Sequence, residues 1–334
     1  MEKGTISICF VNNALLGVRA KGLDADALLR QADISPALLA LPQARVSASS
    51  YSALWLLIAK ALDDEFFGQD SRRMKVGSFN MLCQNVVHCK QLKQALERML
   101  VFFDLTLDDL SARLSCDNGQ ASITLHERAQ DGRPHVFAHE TMLIMLHGLM
   151  CWLIGRRIPI NSIAFAYPEP VYSDEYKIMY STSLRFSEPN TLVTFDASYL
   201  DLPVVQDERT VRDFLRGAPE NIVLKYKNSN SMAAKIRKRL RALPLDQWPD
   251  FEPLAKEMSL SASTLRRRLD DEGQSYQSIK DQLRRDLAID YLSHSAINVA
   301  DIAEILGFAE PSAFHRAFKK WTGARPAEYR RRSA

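Results

Sequence analysis

The sequence predicts an α+β N-terminal domain followed by an all-α C-terminal domain of two helix-turn-helix units joined by a linker helix. Three observations support this prediction. A chain of 334 residues is long enough for two domains. Apolar residues in the last third recur at helical spacing, whereas strand-like alternation occurs only before residue 200. Basic charge is concentrated in the helical part.

The charge distribution separates the two parts. From residue 224 onward there are 21 Lys and Arg against 14 Asp and Glu, a net charge of +7, so residues 1–223 carry −4 of the overall +3. Binding to a phosphate backbone requires such a concentration of positive charge. Together with the helix-turn-helix pattern, it favours nucleic-acid binding over an ordinary solvated surface.

The N-terminal part mixes helical and strand-like spacing. Helices are predicted over residues 6–17, 25–32, 50–62, 92–103, 137–155, 175–181 and 211–217. Asn118-Gly119 is the strongest short signal for a β-hairpin, and it joins the first two predicted strands. The strands cover residues 111–116, 121–127, 162–167, 184–186 and 191–196.

The first helix-turn-helix unit spans residues 251–269, after a basic helix predicted over 232–242 with Arg237, Lys238, Arg239 and Arg241 on its outside. Ser261 suits the N-cap of its second helix, because the hydroxyl can accept from a free backbone N–H. In that helix Leu265 and Leu269 point inward. The Arg-rich outer side can then enter a major groove.

The second unit repeats this pattern. Gly307 suits the tight turn, Pro311 begins the second helix, and Phe314 and Phe318 replace the two leucines. Between the units, apolar residues at 276, 279, 283, 287 and 291 predict a helix of roughly 27 Å. Such a connector can set two recognition helices in adjacent major grooves, about 34 Å apart on one DNA face.

Outward-facing polar and basic residues of the two recognition helices are the predicted DNA contacts. Arginine can donate two hydrogen bonds to guanine, which discriminates by about 1–3 kcal/mol. Arg268 can instead lie on a phosphate, as can Lys319 and Lys320, and Arg316 has the alternative of pairing with an internal carboxylate. The predicted contacts are Ser263, Arg266, Arg267, Arg268, Ser312, Ala313 and Arg316.

Residues 302–303, 307–308, 311–321 (PSAFHRAFKKW) and 322–330 (TGARPAEYR) form a specific pattern. They resemble the signature of the DNA-binding domain of the AraC/XylS family of transcription regulators. The acidic run Asp270-Asp271-Glu272 departs from that family's usual pattern, so it is excluded from the predicted DNA face. A looser match resembles the effector domain of a family branch with ornithine-utilisation and VirS-type regulators. The residues that carry it are 45–47, 51, 77–79, 92–96, 167–170, 176, 184–186, 190–195 and 202–203.

The resemblance implies a cytoplasmic, ligand-responsive and sequence-specific regulator, an activator that recruits RNA polymerase. Its implied partners are double-stranded promoter DNA, a small-molecule effector and a second copy of the chain. The predicted domains are an effector-binding and oligomerisation domain (1–217), a linker (218–231) and a DNA-binding domain with two helix-turn-helix units (232–334). Two alternatives remain open: the N-terminal domain only oligomerises or binds a protein partner, or it is an enzyme that carries a DNA-binding tail.

No motif supports the enzyme alternative. G-x-S-x-G, P-loop and G-x-G-x-x-G sequences are absent. His135 and His139 have metal-ligand spacing, but Glu140 is not placed as in H-E-x-x-H, so we expect no enzyme, cofactor or metal site. Arg156-Arg157 is expected at the surface. Candidate walls of a ligand pocket, which as a stripe are more typical of plain core, are Phe79, Phe102, Phe103, Met142, Met145, Trp152 and Tyr167.

The chain shows no signal-peptide pattern, and the longest apolar run, near residues 142–154, is judged too short to span a bilayer. The five cysteines have no C-x-x-C spacing. They are therefore expected to be buried or free thiols in a reducing compartment.

Overall fold

The structure is a computed structural model that describes residues 4–128, 135–181, 183–219, 222, 232–272 and 274–333. Backbone contacts divide the chain into two units. One comprises Met1–Cys9, Asp33–Ala48 and Ser229–Ala334, and the other Phe10–Ala32 and Ser49–Asn228. The predicted division into 1–217 and 232–334 therefore differs from this grouping at residues 1–9 and 33–48. Nearly all of the predicted linker lies outside the described residues.

The unit of residues 10–32 and 49–228 is the α+β part. Its sheet has five strands in the order β3-β4-β7-β5-β6, antiparallel except for β6, which runs parallel to β5. Asn118 and Gly119 have φ of 48° and 78°, as the predicted hairpin turn requires. The strands are β3 (Leu110–Asp117), β4 (Gln120–Glu127), β5 (Ile160–Ala164), β6 (Leu184–Arg185) and β7 (Thr191–Asp196).

The described residues of the N-terminal two thirds form nine α-helices, and the seven predicted helices agree with them to within a few residues at most ends. The main exception is the first, which begins at residue 8 because residues 5–7 form a strand. The helices are α1 (Ile8–Ala14), α2 (Leu16–Ala20), α3 (Ala25–Gln31), α4 (Ala48–Leu62), α5 (Ser78–Val86), α6 (Leu92–Thr106), α7 (Val136–Leu153), α8 (Asp174–Met179) and α9 (Glu208–Arg216).

Helix α7 is the central helix of this unit. It has 18 residues and a mean hydropathy of 1.4, so length and composition alone would allow it to cross a membrane. The prediction that this apolar run is too short was therefore wrong. However, 89% of the helix is buried inside the protein, which is the environment of a core helix.

The described residues of the other unit form seven α-helices and a small two-stranded antiparallel sheet. This sheet pairs β1 (Thr5–Ser7) with β2 (Arg45–Ser47), and the sequence analysis missed both strands because three residues are too few to show a period. The helices are α10 (Met232–Arg241), α11 (Phe251–Glu257), α12 (Ala262–Asp271), α13 (Tyr276–His294), α14 (Val299–Ile305), α15 (Pro311–Thr322) and α16 (Pro326–Ser333).

The two-stranded sheet is hydrogen-bonded to side chains of the C-terminal helices. The Thr5 hydroxyl donates to Asp286 Oδ1 of α13 at 2.5 Å and accepts from Arg45 Nε at 2.8 Å. The buried Tyr329 hydroxyl of α16 donates to the Arg45 carbonyl. The two-stranded sheet therefore folds as part of the unit that contains the C-terminal helices.

One side chain of α10 was predicted wrongly. Arg237 was expected outside the helix, but it is half-buried and donates to Gln274 and Gln282. Burial lowers the pKa of its guanidinium below the usual value. The two glutamines lie beyond the window of a single helix, so the helical spacing could not reveal them.

Candidate functional site

The first recognition helix, α12, has the predicted local structure. Ser261 is its N-cap and accepts from Thr264 N at 3.1 Å, and Leu265 and Leu269 are buried. These leucines pack into a core with α10, α11 and α13. Burying one face turns the opposite side outward, and Ser263, Arg266, Arg267 and Arg268 are all exposed there.

The second recognition helix, α15, is organised in the same way. Phe314 and Phe318 are buried, and Pro311 is its first residue. Ser312 and Arg316 are exposed, whereas Ala313 is half-buried. Ser312 Oγ donates to a carboxylate oxygen of Glu310 at 3.1 Å, so this hydroxyl is already engaged.

The two helices present equivalent pairs of side chains. Ser263 and Arg267 lie two residues before and after the buried Leu265, and Ser312 and Arg316 lie two residues before and after the buried Phe314. Residues four apart share a helix face. Each recognition helix therefore exposes one serine and one arginine on the side opposite its core.

The exposed arginines differ in their surroundings. The Arg266 guanidinium lies 5.4 Å from the centre of the Phe251 ring, a cation–π arrangement that holds it against α11. Within the described part of the chain, Arg267, Arg268 and Arg316 form no ion pair. Among the described residues, therefore, no internal carboxylate pairs with Arg316.

The turns of both units require a left-handed residue. Ser259 has a φ of 56° and Gly307 a φ of 73°. Glycine adopts this conformation at little cost, which explains Gly307, whereas a serine there is strained. The prediction identified Gly307 but missed Ser259, because serine carries no signal for a positive φ.

The acidic run after α12 has a structural role at Glu272. Its two carboxylate oxygens accept from the backbone N–H groups of Met232 at 2.6 Å and Ala233 at 2.9 Å. They thereby cap the N-terminus of α10, where negative charge is favourable. This long-range cap accounts for an acidic residue beside a predicted DNA surface.

Helix α13 connects the two units and has 19 residues, about 28 Å in length. Arg284 on this helix donates to the Leu306 carbonyl at 3.1 Å, next to the turn of the second unit. Its guanidinium also lies 5.5 Å from the Trp248 ring and 5.7 Å from the Phe308 ring. One side chain thus fixes the connector to residues that flank both units.

The candidate pocket walls in the α+β unit are core residues. Six of the seven are buried and Phe102 is half-buried. None of them lines the small apolar cavity of about 20 Å³ in this unit. That cavity is lined by Ile123, Leu143, Leu146, His147, Met150, Ile158, Ile160, Ile163, Tyr180, Val193 and Phe195.

Two other expectations are corrected or extended in this unit. Arg157 is buried rather than at the surface and donates to the carbonyls of Met179 and Tyr180, and its burial lowers the guanidinium pKa to about 10.

His135 and His139 both face Glu127, at 3.1 and 3.6 Å. No group of three or more His, Cys, Asp and Glu among the described residues is arranged to hold a metal ion. All five cysteines are free.

Comparison with known proteins identifies both halves of the chain. Residues 22–204 match the family described as the arabinose-binding domain of AraC transcription regulator, and residues 254–332 match a helix-turn-helix domain. The ornithine utilization regulator of Pseudomonas aeruginosa is 29% identical over 95% of this chain and 94% of its own length. The regulator VirS of Mycobacterium tuberculosis is 23% identical over 94% and 92%.

A solved structure, the transcriptional regulator CdpR from Pseudomonas aeruginosa, is 20% identical, with a TM-score of 0.31, over 76% of this chain and 81% of its own. The matched families and relatives are regulators of transcription and not enzymes.

Proposed function

Because the chain belongs to the AraC family of transcription regulators, with the family's N-terminal ligand-binding domain and C-terminal helix-turn-helix domain, we propose that it is a ligand-responsive regulator. In this proposal α12 and α15 enter two successive major grooves of promoter DNA. Ser263, Arg266, Arg267 and Arg268 contact one groove and its phosphates. Ser312, Ala313 and Arg316 contact the next.

The observation that carries this proposal is the equivalent exposed pair on each recognition helix. Ser263 with Arg267 and Ser312 with Arg316 face away from their cores, and neither arginine has a carboxylate partner among the residues described. An arginine without an ion pair can donate both of its N–H groups to guanine O6 and N7. Two such arginines, one from each helix, suit two guanines about one helical turn apart.

The test uses the full chain and a pool of random duplexes from which bound sequences are selected. Arg267→Ala and Arg316→Ala should each remove the base preference at one position and weaken binding by about 1–3 kcal/mol, roughly 5- to 150-fold. Arg216→Ala, on the α+β unit, is the control for an exposed arginine and should leave the selected sequence unchanged. If both recognition-helix variants select the wild-type sequence, the assignment of these arginines is wrong.

Salt dependence tests DNA binding independently of any base contact. Phosphate contacts release counterions, so the logarithm of the affinity should fall steeply with the logarithm of salt concentration. Arg268→Ala should reduce this slope by about 1 and weaken all sequences equally. A flat salt dependence of the wild-type chain would contradict the proposed function as a whole.

We also infer that the chain forms a homodimer and acts in the cytoplasm as an activator that recruits RNA polymerase. For the dimer, helix α6 offers Val101 and Leu105, which are four residues apart and 59% and 66% exposed. Paired apolar side chains on one helix face suit a second copy of the same surface. Sedimentation of wild type and Leu105→Asp tests this: the variant should be monomeric where the wild type is dimeric.

Transcription from the selected operator, with and without the chain, decides between activation and repression.

A further inference from the structure

A buried carboxyl in the α+β unit lacks a full set of hydrogen bonds. Glu140 on α7 is completely buried. Its Oε1 accepts from the Tyr176 hydroxyl, but its Oε2 has no hydrogen-bond partner among the described residues. Leaving a buried carboxylate oxygen unsatisfied costs free energy, so such an atom in a folded protein calls for an explanation.

Five tyrosines, among them Tyr51, face this carboxyl. We call the other four, together with Glu140, the Glu140 cluster: Tyr167, Tyr172, Tyr176 and Tyr180. The Tyr167 and Tyr176 hydroxyls are 3.2 Å apart. The Tyr172 and Tyr180 rings lie 5.9 and 6.0 Å from the ring of Tyr176. The Tyr180 hydroxyl is buried and, like Glu140 Oε2, has no hydrogen-bond partner within the described residues.

The cluster approaches the protein surface at one side and the apolar cavity at the other. Tyr172 is half-buried, and its hydroxyl accepts from half-buried Asn13 Nδ2 at 2.7 Å. Tyr180 is one of the residues that line the apolar cavity. The cluster therefore has half-buried polar side chains at one side and borders an apolar cavity at the other.

The free groups of the cluster define the chemistry of what would bind. A carboxylate oxygen can only accept, and the tyrosine rings present faces of negative potential. An alkylammonium group has three donors and a positive charge, so it satisfies both. We propose that the Glu140 cluster binds the ammonium group of the small-molecule effector, a proposal that rests on the proposed ligand-responsive function.

The test measures thermal unfolding of the full chain at pH 8 with compounds that share a carbon skeleton. The amines are butylamine, 1,4-diaminobutane, L-lysine and their two- to six-carbon homologues, and the controls are the corresponding alcohols and carboxylic acids. At least one amine should raise the melting temperature saturably, because a ligand that binds only the folded state stabilises it. The alcohol and acid of the same skeleton should not.

Two variants connect the effect to this site. Glu140→Gln removes the charge at constant size and should weaken amine binding at least tenfold. Tyr180→Phe keeps the ring but removes the free hydroxyl, and should weaken it several-fold even if the first variant folds poorly. Glu208→Gln, at an exposed glutamate, is the matched control and should bind amines like the wild type.

Each other outcome is decisive. If only an acid or alcohol stabilises the chain, ligand sensing stands but the amine class is wrong. If no compound acts, or if amine binding is equal in Glu140→Gln and wild type, the cluster holds at most a buried water and the proposal is overturned. DNA selection and salt dependence do not use these compounds, so failure here is distinguishable from failure of the proposed regulator function.

Discussion

At the scale of single residues, Glu140 makes folding stability depend on pH near neutrality. Burial raises its pKa from 4.5 to about 7, against a smaller lowering by the nearby polar side chains of Tyr176, Tyr172 and Asn13. Between these values the folded chain holds a proton that the unfolded chain has released. The stabilising contribution of Glu140 is thus complete below pH 4.5 and is lost as the pH rises to about 7.

Other buried groups must be separated from this effect. His139 and His147 have pKa values lowered to about 4 by burial, so the stability they contribute is present above pH 6.5 and is lost as the pH falls towards 4. This is the opposite direction. The tyrosines that face Glu140, which are Tyr51, Tyr167, Tyr172, Tyr176 and Tyr180, have raised pKa values and do not titrate in this range.

The difference between wild type and Glu140→Gln isolates the carboxyl. From pH 5 to pH 8 the wild type should lose roughly 2.5 kcal/mol of unfolding free energy relative to the variant, since each pKa unit corresponds to about 1.4 kcal/mol. Denaturant titrations at several pH values measure this, and the two histidines cancel in the comparison. A difference that stays constant with pH would mean that Glu140 is not protonated in the folded chain.

At this scale the sequence predicted the exposed side chains of α12 and α15 well and the buried polar groups of the α+β unit poorly. Exposure of Arg267 and Arg316 follows from the positions of Leu265 and Phe314, which local spacing reveals. Glu140 was considered only as a neighbour of His139 in a metal-ligand pattern. Its partner Tyr176 is 36 residues away, and no periodicity connects the two.

At the scale of elements, the left-handed residue in each helix-turn-helix turn predicts how a substitution there changes stability. A Cβ at residue 307 would meet only the end of the Arg284 side chain at 3.9 Å, an ordinary contact, so the cost of a substitution comes from φ alone. Gly307→Ala should therefore destabilise the chain by about 1–2 kcal/mol. The measurement is the change in the denaturant concentration at which half of the unit that contains residues 229–334 is unfolded.

Ser259 provides the matched control for that prediction. It has the same left-handed conformation with a side chain present, so Ser259→Gly should not destabilise and is expected to stabilise slightly. If Gly307→Ala and Ser259→Gly changed the free energy of unfolding in the same direction, backbone conformation would not be the cause. The element boundaries were predicted to within a few residues because helix caps and the Asn-Gly turn are local signals, whereas the cap that Glu272 provides to α10 is not.

At the scale of the whole molecule, the sequence order of segments differs from their grouping in space. Residues 1–9 and 33–48 group with residues 229–334, although they begin the chain. The sequence predicted a boundary only near the polar stretch after residue 217, since composition changes there. It could not indicate that a three-residue strand near the N-terminus belongs with helices almost 300 residues later.

This grouping predicts that the first strand stabilises the DNA-binding part. The Thr5 hydroxyl satisfies both Asp286 Oδ1 and Arg45 Nε, so Thr5→Val, which keeps the shape and removes the hydroxyl, leaves two polar groups short of a partner. A cost of about 1–3 kcal/mol is expected in the unfolding of the C-terminal unit. Thr5→Ser keeps the hydroxyl and should cost much less.

By the same reasoning, a fragment of residues 229–334 should melt below the corresponding transition of the full chain, because it lacks Arg45, the partner of the buried Tyr329 hydroxyl. Equal stability of Thr5→Val and wild type, or of the fragment and the full chain, would show that the two-stranded sheet contributes nothing to the unit in which it folds.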